Sequence, residues 1–120
     1  MILKDRLFTI KNTVIKENCA EFRIQFNAEN FVYKAHFPNN PITPGVFLIQ
    51  IVTELYGLLK CRNVRVKSLN NVKYTAPINP INSPEVTFSI VFSEKDNFSH
   101  LKVIIKDNQT VFVKISMILA

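Results

Sequence analysis

A histidine in this sequence is followed by a proline-rich loop that leads to a glycine. Residues 36–50 read HFPNNPITPGVFLIQ, in which three prolines separate His36 from Gly45. An imidazole titrates close to neutral pH, so His36 is suited to act as a general base. Prolines fix the backbone, so the loop loses little freedom when it holds a side chain in place. The segment therefore predicts proton abstraction from a bound substrate, whereas His100 is interpreted as structural.

A helix is predicted to begin at the end of this loop. Thr43 is a suitable N-cap, Pro44 fits the first helical position, and Gly45 has no side chain to block the approach of a ligand. The free amides and the positive end of the helix dipole would point outward there. Such a helix start suits a carbonyl oxygen that gains negative charge during a reaction.

The predicted helix runs from about Gly45 to Lys60 and is apolar nearly all the way round. Such a helix is expected inside the protein, wrapped by a sheet. Its polar exceptions fall on one narrow stripe, because residues three or four apart share a helix face. We call this stripe the polar track, and its members are Gln50, Thr53, Glu54 and Gly57. A polar track on a buried helix indicates either water or a polar cavity beside it.

Alternating apolar residues predict strands over most of the remaining chain. Residues 19–27 place Phe22, Ile24 and Phe26 on one side, which is typical of a half-buried strand. Residues 7–14 form a weaker strand candidate and residues 64–74 a stronger one. Three further runs, beginning near residues 86, 101 and 111, are separated by turn-prone Asn and Asp, which predicts three successive antiparallel strands.

The run HFPxxPxxPGVxxxQ resembles the signature of the beta-hydroxyacyl-carrier-protein dehydratases of bacterial fatty acid synthesis. Their pattern is approximately HFPGxPxxPGVxxxE, and the order of the other segments is also similar. The resemblance implies an α+β hotdog fold, in which an antiparallel sheet wraps round one long central helix. This agrees with the strands and helix read from the residues. The length of 120 residues predicts a single domain over residues 1–120.

The resemblance also implies a reaction and a role for each motif residue. His36 would remove the proton alpha to the thioester carbonyl of an acyl chain carried on the phosphopantetheine of an acyl carrier protein. The Gly45 amide would stabilise the enolate-like charge, and a helix carboxylate from across a dimer interface would protonate the departing hydroxyl. No metal and no cofactor of the protein's own are expected. The residues expected to contact substrate are Phe37, Pro44, Val46 and Thr53.

The motif acid is absent from its usual position. Gln50 stands where the family has a carboxylate, and Glu54 stands where the family has a glutamine, so the pair appears in exchanged order. A neutral amide can bind a hydroxyl but cannot supply a proton at useful cost. One helical turn of about 5.4 Å leaves Glu54 within reach of a shifted substrate or of a bridging water.

Three functions remain open from the sequence. The first is an active dehydratase that uses His36 with Glu54, or with Gln50 orienting a water. The second is a catalytically impaired hotdog subunit that binds carrier-borne acyl chains, as one half of a heterodimer. The third is a hotdog thioesterase with Glu54 directed at an attacking water. A homodimer or higher oligomer is implied by the resemblance, and a heterodimer is an alternative.

The formal net charge of +6 favours an acidic partner such as a carrier protein, although a solvated positive face explains it equally well. The candidate docking charges, which we call the basic cluster, are Lys60, Arg62, Arg65 and Lys67. No nucleic-acid-binding signature accompanies them, and no apolar run is long enough for a membrane span. The early charged residues and two unpaired cysteines predict the cytoplasm.

Overall fold

Six strands and two helices make up the part of the chain that the computed structural model describes, residues 2–35 and 39–120. In chain order they are β1 (Phe8–Ile15), β2 (Cys19–Phe26), α1 (Phe31–Ala35), α2 (Gly45–Lys60), β3 (Val66–Tyr74), β4 (Glu85–Lys95), β5 (Phe98–Lys106) and β6 (Val111–Leu119). Neither of the two helices in these ranges has the length and apolar character that a membrane crossing requires.

The strands form one sheet in the order β1-β2-β4-β5-β6-β3, and neighbouring strands are antiparallel. The alternation predicted for β2 is confirmed, because Phe22, Ile24 and Phe26 are buried while Glu21 and Arg23 between them are exposed. One face of the sheet thus supplies a continuous apolar surface to the core.

The predicted turn between β4 and β5 is also confirmed. Asp96 and Asn97 have φ values of 56° and 67°, the left-handed region that Asn and Asp tolerate better than most residues. The turn joins two long antiparallel strands, so β4, β5 and β6 follow one another as three neighbouring strands.

Helix α2 packs one face against the sheet and has the predicted bounds. Leu48, Ile51, Val52, Leu55 and Tyr56 are buried on that face. The sheet wraps round this face of the helix, as predicted. Side chains on other faces of the helix are exposed, at 67% for Val46 and 49% for Leu58. A single sheet covers only one side of a helix, which leaves apolar surface open on this subunit.

The end of α2 nearest Lys60 is fixed to the β4–β5 hairpin by a buried hydroxyl. Tyr56 donates a hydrogen bond of 2.9 Å to Glu94 Oε1, and its oxygen lies 2.9 Å from Ser99 Oγ. Its ring meets Phe92 edge to face at 5.6 Å between centroids. These contacts fix where the helix lies on the sheet.

Strand β3 forms one edge of the sheet and pairs only with β6 among the described residues. Its apolar side chains are unusually open, with Val66 at 40%, Leu69 at 45% and Tyr74 at 57% exposure. An unpaired edge carrying apolar side chains is a surface on which another strand can add.

Candidate active site

The predicted base and one predicted substrate contact, His36 and Phe37, lie outside the described residues. Their roles therefore stay predictions from the sequence. The structure describes the chain on either side of them. Helix α1 ends at Ala35, and the segment that leads into α2 resumes at Asn39.

A buried pair of hydroxyls joins these two flanking segments. Tyr33 Oη on α1 and Thr43 Oγ1 before α2 lie 2.9 Å apart, and both side chains are buried. The Thr43 amide also donates to the Ile78 carbonyl at 2.9 Å. The prediction that Thr43 caps α2 is wrong, because its hydroxyl is paired with Tyr33 instead. The pair ties together the two described segments that flank residues 36–38.

Burial of the Tyr33 and Tyr56 hydroxyls predicts that the protein loses stability in alkali. Desolvation raises the pKa of Tyr33 from 10.0 to about 12, and it raises the pKa of Tyr56 to about 12 in the same way. The folded state therefore holds both protons more tightly than the unfolded chain does. Their contribution to stability is complete below pH 10 and is lost as the pH rises towards 12.

Urea unfolding followed across this pH range should show the effect. We expect the free energy of unfolding to fall by about 2–3 kcal/mol for each tyrosine, at about 1.4 kcal/mol per pKa unit. The free energy of unfolding of the Tyr33→Phe variant should fall by a smaller amount over this pH range than that of the unsubstituted protein, because only the raised pKa of Tyr56 then contributes to the fall. A variant with the same alkaline slope as the unsubstituted protein would contradict this assignment.

The first turn of α2 has no cap from a side chain. Pro44 is the N-cap residue, with extended torsion angles of −61° and 141°, and it makes no side-chain capping bond. Its carbonyl accepts from the amides of Phe47 and Leu48. Within the described ranges, the amides of Gly45 and Val46 have no acceptor. They are therefore available to an oxygen of a ligand.

These free amides open into a cavity of about 550 Å³. Residues 42–46 line it together with residues 74–78, which begin at the last residue of β3. Most of these side chains are apolar, so the cavity suits an acyl chain with one polar group directed at the helix. The structure thus brings together three of the predicted site residues, Pro44, Gly45 and Val46.

The polar track lies along a different groove. Gln50, Thr53, Glu54 and Gly57 face a space of about 750 Å³, which is also lined by the start of the chain and by residues 61–64. None of its lining residues lines the cavity at Gly45. The structure therefore places the predicted site residues in two groups, and one subunit does not join them in a single cavity.

Glu54 is the anchor for the beginning of the described chain. Its Oε2 accepts from the Leu3 amide at 2.8 Å and from Gln50 Nε2 at 3.0 Å. Its Oε1 accepts from the Lys4 amide at 2.9 Å and from the Leu3 amide at 3.0 Å. Each oxygen faces two donors, whereas a group that delivers a proton needs a hydrogen on one of its oxygens. Sequence reasoning missed this structural role, since backbone amides leave no pattern in a sequence.

Thr53 donates to the carbonyl of Ile49, one turn earlier on the same helix, at 3.0 Å. This bond uses the hydroxyl proton inside the helix and leaves the oxygen as an acceptor. Thr53 therefore contributes to the groove only as an acceptor and through its methyl group.

The basic cluster is partly used by the fold. Lys60 Nζ lies 4.0 Å from Glu94 Oε1, and Arg62 Nη2 donates to Ser99 Oγ at 3.4 Å. Desolvation raises the pKa of Glu94, but hydrogen bonds from Ser99 and Tyr56 and the charges of Lys60 and Arg62 outweigh it and lower that pKa overall. The other two members, Arg65 and Lys67, are exposed, and Lys67 Nζ lies 4.6 Å from the centroid of the Phe98 ring.

The described residues contain no group of three or more His, Cys, Asp or Glu side chains that could hold a metal ion.

Comparisons with known proteins give the site its context. A family model described as "ApeI-like: ApeI dehydratase" matches residues 11–114. The chain is 30% identical over 93 residues to the 3-hydroxyacyl-[acyl-carrier-protein] dehydratase FabZ of Helicobacter acinonychis, a match covering 67% of this chain and 56% of the relative. It is 26% identical over 89 residues to FabZ of Rhizorhabdus wittichii, a match that covers 67% of this chain and 54% of that relative. The chain thus spans about half the length of these relatives.

Two solved structures share the architecture. The dehydratase heterocomplex ApeI:P from Xenorhabdus doucetiae contains a chain with a TM-score of 0.72 and 18% identity, which covers 93% of this chain and 96% of that one. An uncharacterized protein from Erwinia carotovora subsp. atroseptica gives a TM-score of 0.68 and 16% identity. The match covers 93% of this chain and 92% of that one. These likenesses confirm the predicted α+β hotdog fold.

Proposed function

Because this chain belongs to the ApeI-like dehydratase family, we propose that it removes water from a 3-hydroxyacyl thioester to give the trans-2-enoyl thioester. The observation that supports this most directly is the uncapped start of α2, whose free Gly45 amide opens into an apolar cavity. A thioester carbonyl placed there would receive a hydrogen bond as negative charge develops on its oxygen. Fatty acid synthesis or a related acyl-chain synthesis is the proposed setting.

The reaction follows from the groups available. His36 takes the proton from the carbon alpha to the carbonyl, and the electron pair of that bond passes through the enolate to form the carbon–carbon double bond. The bond between the beta carbon and its hydroxyl oxygen then breaks. The leaving hydroxide needs a proton, and the imidazolium of His36 now carries one. Gln50 binds the departing oxygen, because its amide is a hydrogen-bond donor.

The two separate cavities support a site shared between subunits. Gly45 and the polar track open into different spaces of one subunit, so a substrate that uses both would lie between two hotdog subunits. The unpaired edge of β3 and the exposed Val46 and Leu58 offer apolar surface for such an assembly. We therefore propose a hotdog homodimer or higher oligomer, with a heterodimer as the alternative.

A second candidate function has one specific observation in its favour. The usual acid position holds Gln50, and both oxygens of Glu54 accept hydrogen bonds from the neighbouring chain. A subunit without its own proton donor could bind acyl thioesters while a different hotdog partner supplies the acid. The same observation speaks against a thioesterase, which needs a carboxylate directed at water.

The acyl group is proposed to arrive on the phosphopantetheine of an acyl carrier protein. Carrier proteins of this kind are acidic, and the exposed members of the basic cluster, Arg65 and Lys67, would face their charge. The two free cysteines, Cys19 and Cys61, agree with the cytoplasm as the proposed location.

One assay separates these functions. The purified protein is incubated with a 3-hydroxyacyl thioester and, separately, with the 2-enoyl thioester, each on carrier protein and on a short pantetheine mimic. Absorbance of the conjugated enoyl thioester and release of free thiol are followed together. Enoyl formation is the expected result. Thiol release would indicate a thioesterase, and binding without turnover would indicate the impaired subunit.

A further inference from the structure

Tyr74, the last residue of β3, reaches the first turn of α2 with its hydroxyl end. A Cβ atom built on Gly45 would lie 2.7 Å from Tyr74 Cζ and closer still to Tyr74 Oη. The phenol therefore occupies the space that a side chain at position 45 would need. This close approach explains why the residue at the helix start is a glycine.

The phenolic hydroxyl has no hydrogen-bond partner within residues 2–35 and 39–120. Tyr33 and Tyr56, in contrast, both use their hydroxyl groups inside the protein. Tyr74 is 57% exposed, but it lines the same cavity as Gly45 and Val46, and its hydroxyl end lies against Gly45. A free donor therefore lies beside the free amide of Gly45.

Among the described residues near the start of α2, no side chain accepts a hydrogen bond from the Gly45 amide or from the Tyr74 hydroxyl. The first turn of α2 contains no acidic residue, and Pro44 supplies no capping side chain. The one hydroxyl well placed in sequence to cap the helix, that of Thr43, is already paired with Tyr33. An oxygen bound at the helix start would meet donors from two elements of the fold, α2 and β3.

We infer that the Tyr74 hydroxyl is a second hydrogen-bond donor, beside the Gly45 amide, to the carbonyl oxygen of a bound acyl thioester. This inference rests on the proposed function for its setting, since it assigns Tyr74 to the same site. A phenolic hydroxyl is among the groups that stabilise an enolate oxygen, and its placement on a strand fixes it before the charge develops.

A spectroscopic test reads this contact without any turnover. A saturated acyl pantetheine thioester, labelled with carbon-13 at its carbonyl, binds but cannot be dehydrated. Each hydrogen bond to the carbonyl oxygen lowers its stretching frequency in an infrared difference spectrum. We expect the bound frequency to be higher in Tyr74→Phe than in the unsubstituted protein. The matched control is Tyr56→Phe, which removes a hydroxyl near the Lys60 end of α2, far from Gly45. This variant should leave the carbonyl frequency unchanged.

Kinetics supply the second readout. With a 3-hydroxyacyl thioester, Tyr74→Phe should lower kcat by about 10²-fold, the usual effect of removing one oxyanion donor, and should change KM little. Thermal unfolding should be unaffected, because the side chain is mostly exposed. An equal carbonyl frequency in the two proteins, or an unchanged kcat, would overturn the assignment.

The two readouts keep this inference distinct from the proposed reaction. A frequency shift in a protein that forms no enoyl product would support Tyr74 as a carbonyl donor and refute the dehydratase. Dehydration with no shift in Tyr74→Phe would support the enzyme and refute the role of Tyr74. If the labelled thioester does not bind, both proposals are wrong.

Discussion

His36→Ala is expected to lower the rate of enoyl thioester formation by about 10³-fold or more, the range that general-base catalysis by a histidine supplies. The proposed reaction begins with loss of the alpha proton. Among the described residues, Pro44 and the others that line the Gly45 cavity offer carbonyls, hydroxyls and apolar groups, but no imidazole or carboxylate. Removal of His36 therefore leaves the substrate bound without a base. Absorbance of the conjugated product, measured under single-turnover conditions, reports the loss.

His100→Ala is the matched control for this experiment. The sequence contains two histidines, and His100 lies on β5 opposite Ser93 and Ile118, with no predicted role. Its replacement should leave the rate of dehydration unchanged. Binding of a saturated acyl thioester should persist in both variants, which separates loss of chemistry from loss of fold. Comparable rates for His36→Ala and the unsubstituted protein would place the base elsewhere.

Local patterns in the sequence predicted most of the fold. The helix has its predicted bounds of Gly45 and Lys60, since the prolines before it cannot continue a helix and no proline interrupts it. The strands follow from alternation of apolar residues, and the turn at Asp96 and Asn97 follows from their tolerance of positive φ. Resemblance of the motif to the dehydratases is likewise confirmed by the family match.

The features that sequence did not predict depend on contacts between distant residues. Short helix α1 was missed because its five residues carry too little periodicity to detect. Thr43 has the right type and position for an N-cap, yet Tyr33 competes for its hydroxyl. The partners of Glu54 are backbone amides about fifty residues earlier in the chain, as the separations of 50 and 51 show. Tyr74 reaches Gly45 only because β3 returns past the start of α2.

The division of the site between two cavities depends on where each residue lies round the helix, and the resemblance had already placed the helix carboxylate across a dimer interface. Gln50 and Gly45 lie on one helix, about 7.5 Å apart along its axis at 1.5 Å per residue, yet they line different cavities. The position of each residue round the helix axis decides which cavity it lines. Gly45 faces the residues that follow β3, whereas Gln50 faces the start of the chain and the α2–β3 connection.

Gln50→Glu restores the carboxyl group of the family motif and is expected to raise kcat for dehydration by about 10²-fold, the lower part of the range for a general acid. In the present protein Gln50 Nε2 donates to Glu54 Oε2 at 3.0 Å. A carboxylate in that place would meet a like charge at the same distance, so the pair would hold one proton more tightly than an isolated carboxyl does. A shared proton of this kind is available for the departing hydroxyl at neutral pH.

The same change should cost stability and alter the pH profile. Loss of the Gln50–Glu54 hydrogen bond and the new repulsion are expected to lower the free energy of unfolding by about 1–3 kcal/mol. The gain in rate should disappear as the pH increases, because the proton shared by the two carboxyl groups is then released to water. Rates measured between pH 5 and 9 on a folded sample, with urea unfolding beside them, test both statements.

Glu54→Gln is the variant that separates this interpretation from an exchanged acid. Its amide group would present a donor to amides that already donate, so the start of the chain should detach and stability should fall by about 1–3 kcal/mol. Dehydration should survive, because Glu54 holds Leu3 and Lys4 and does not supply the proton. If Glu54→Gln abolishes turnover in a folded protein while Gln50→Glu adds nothing, the acid has moved one turn along the helix, and the anchoring bonds must open during catalysis.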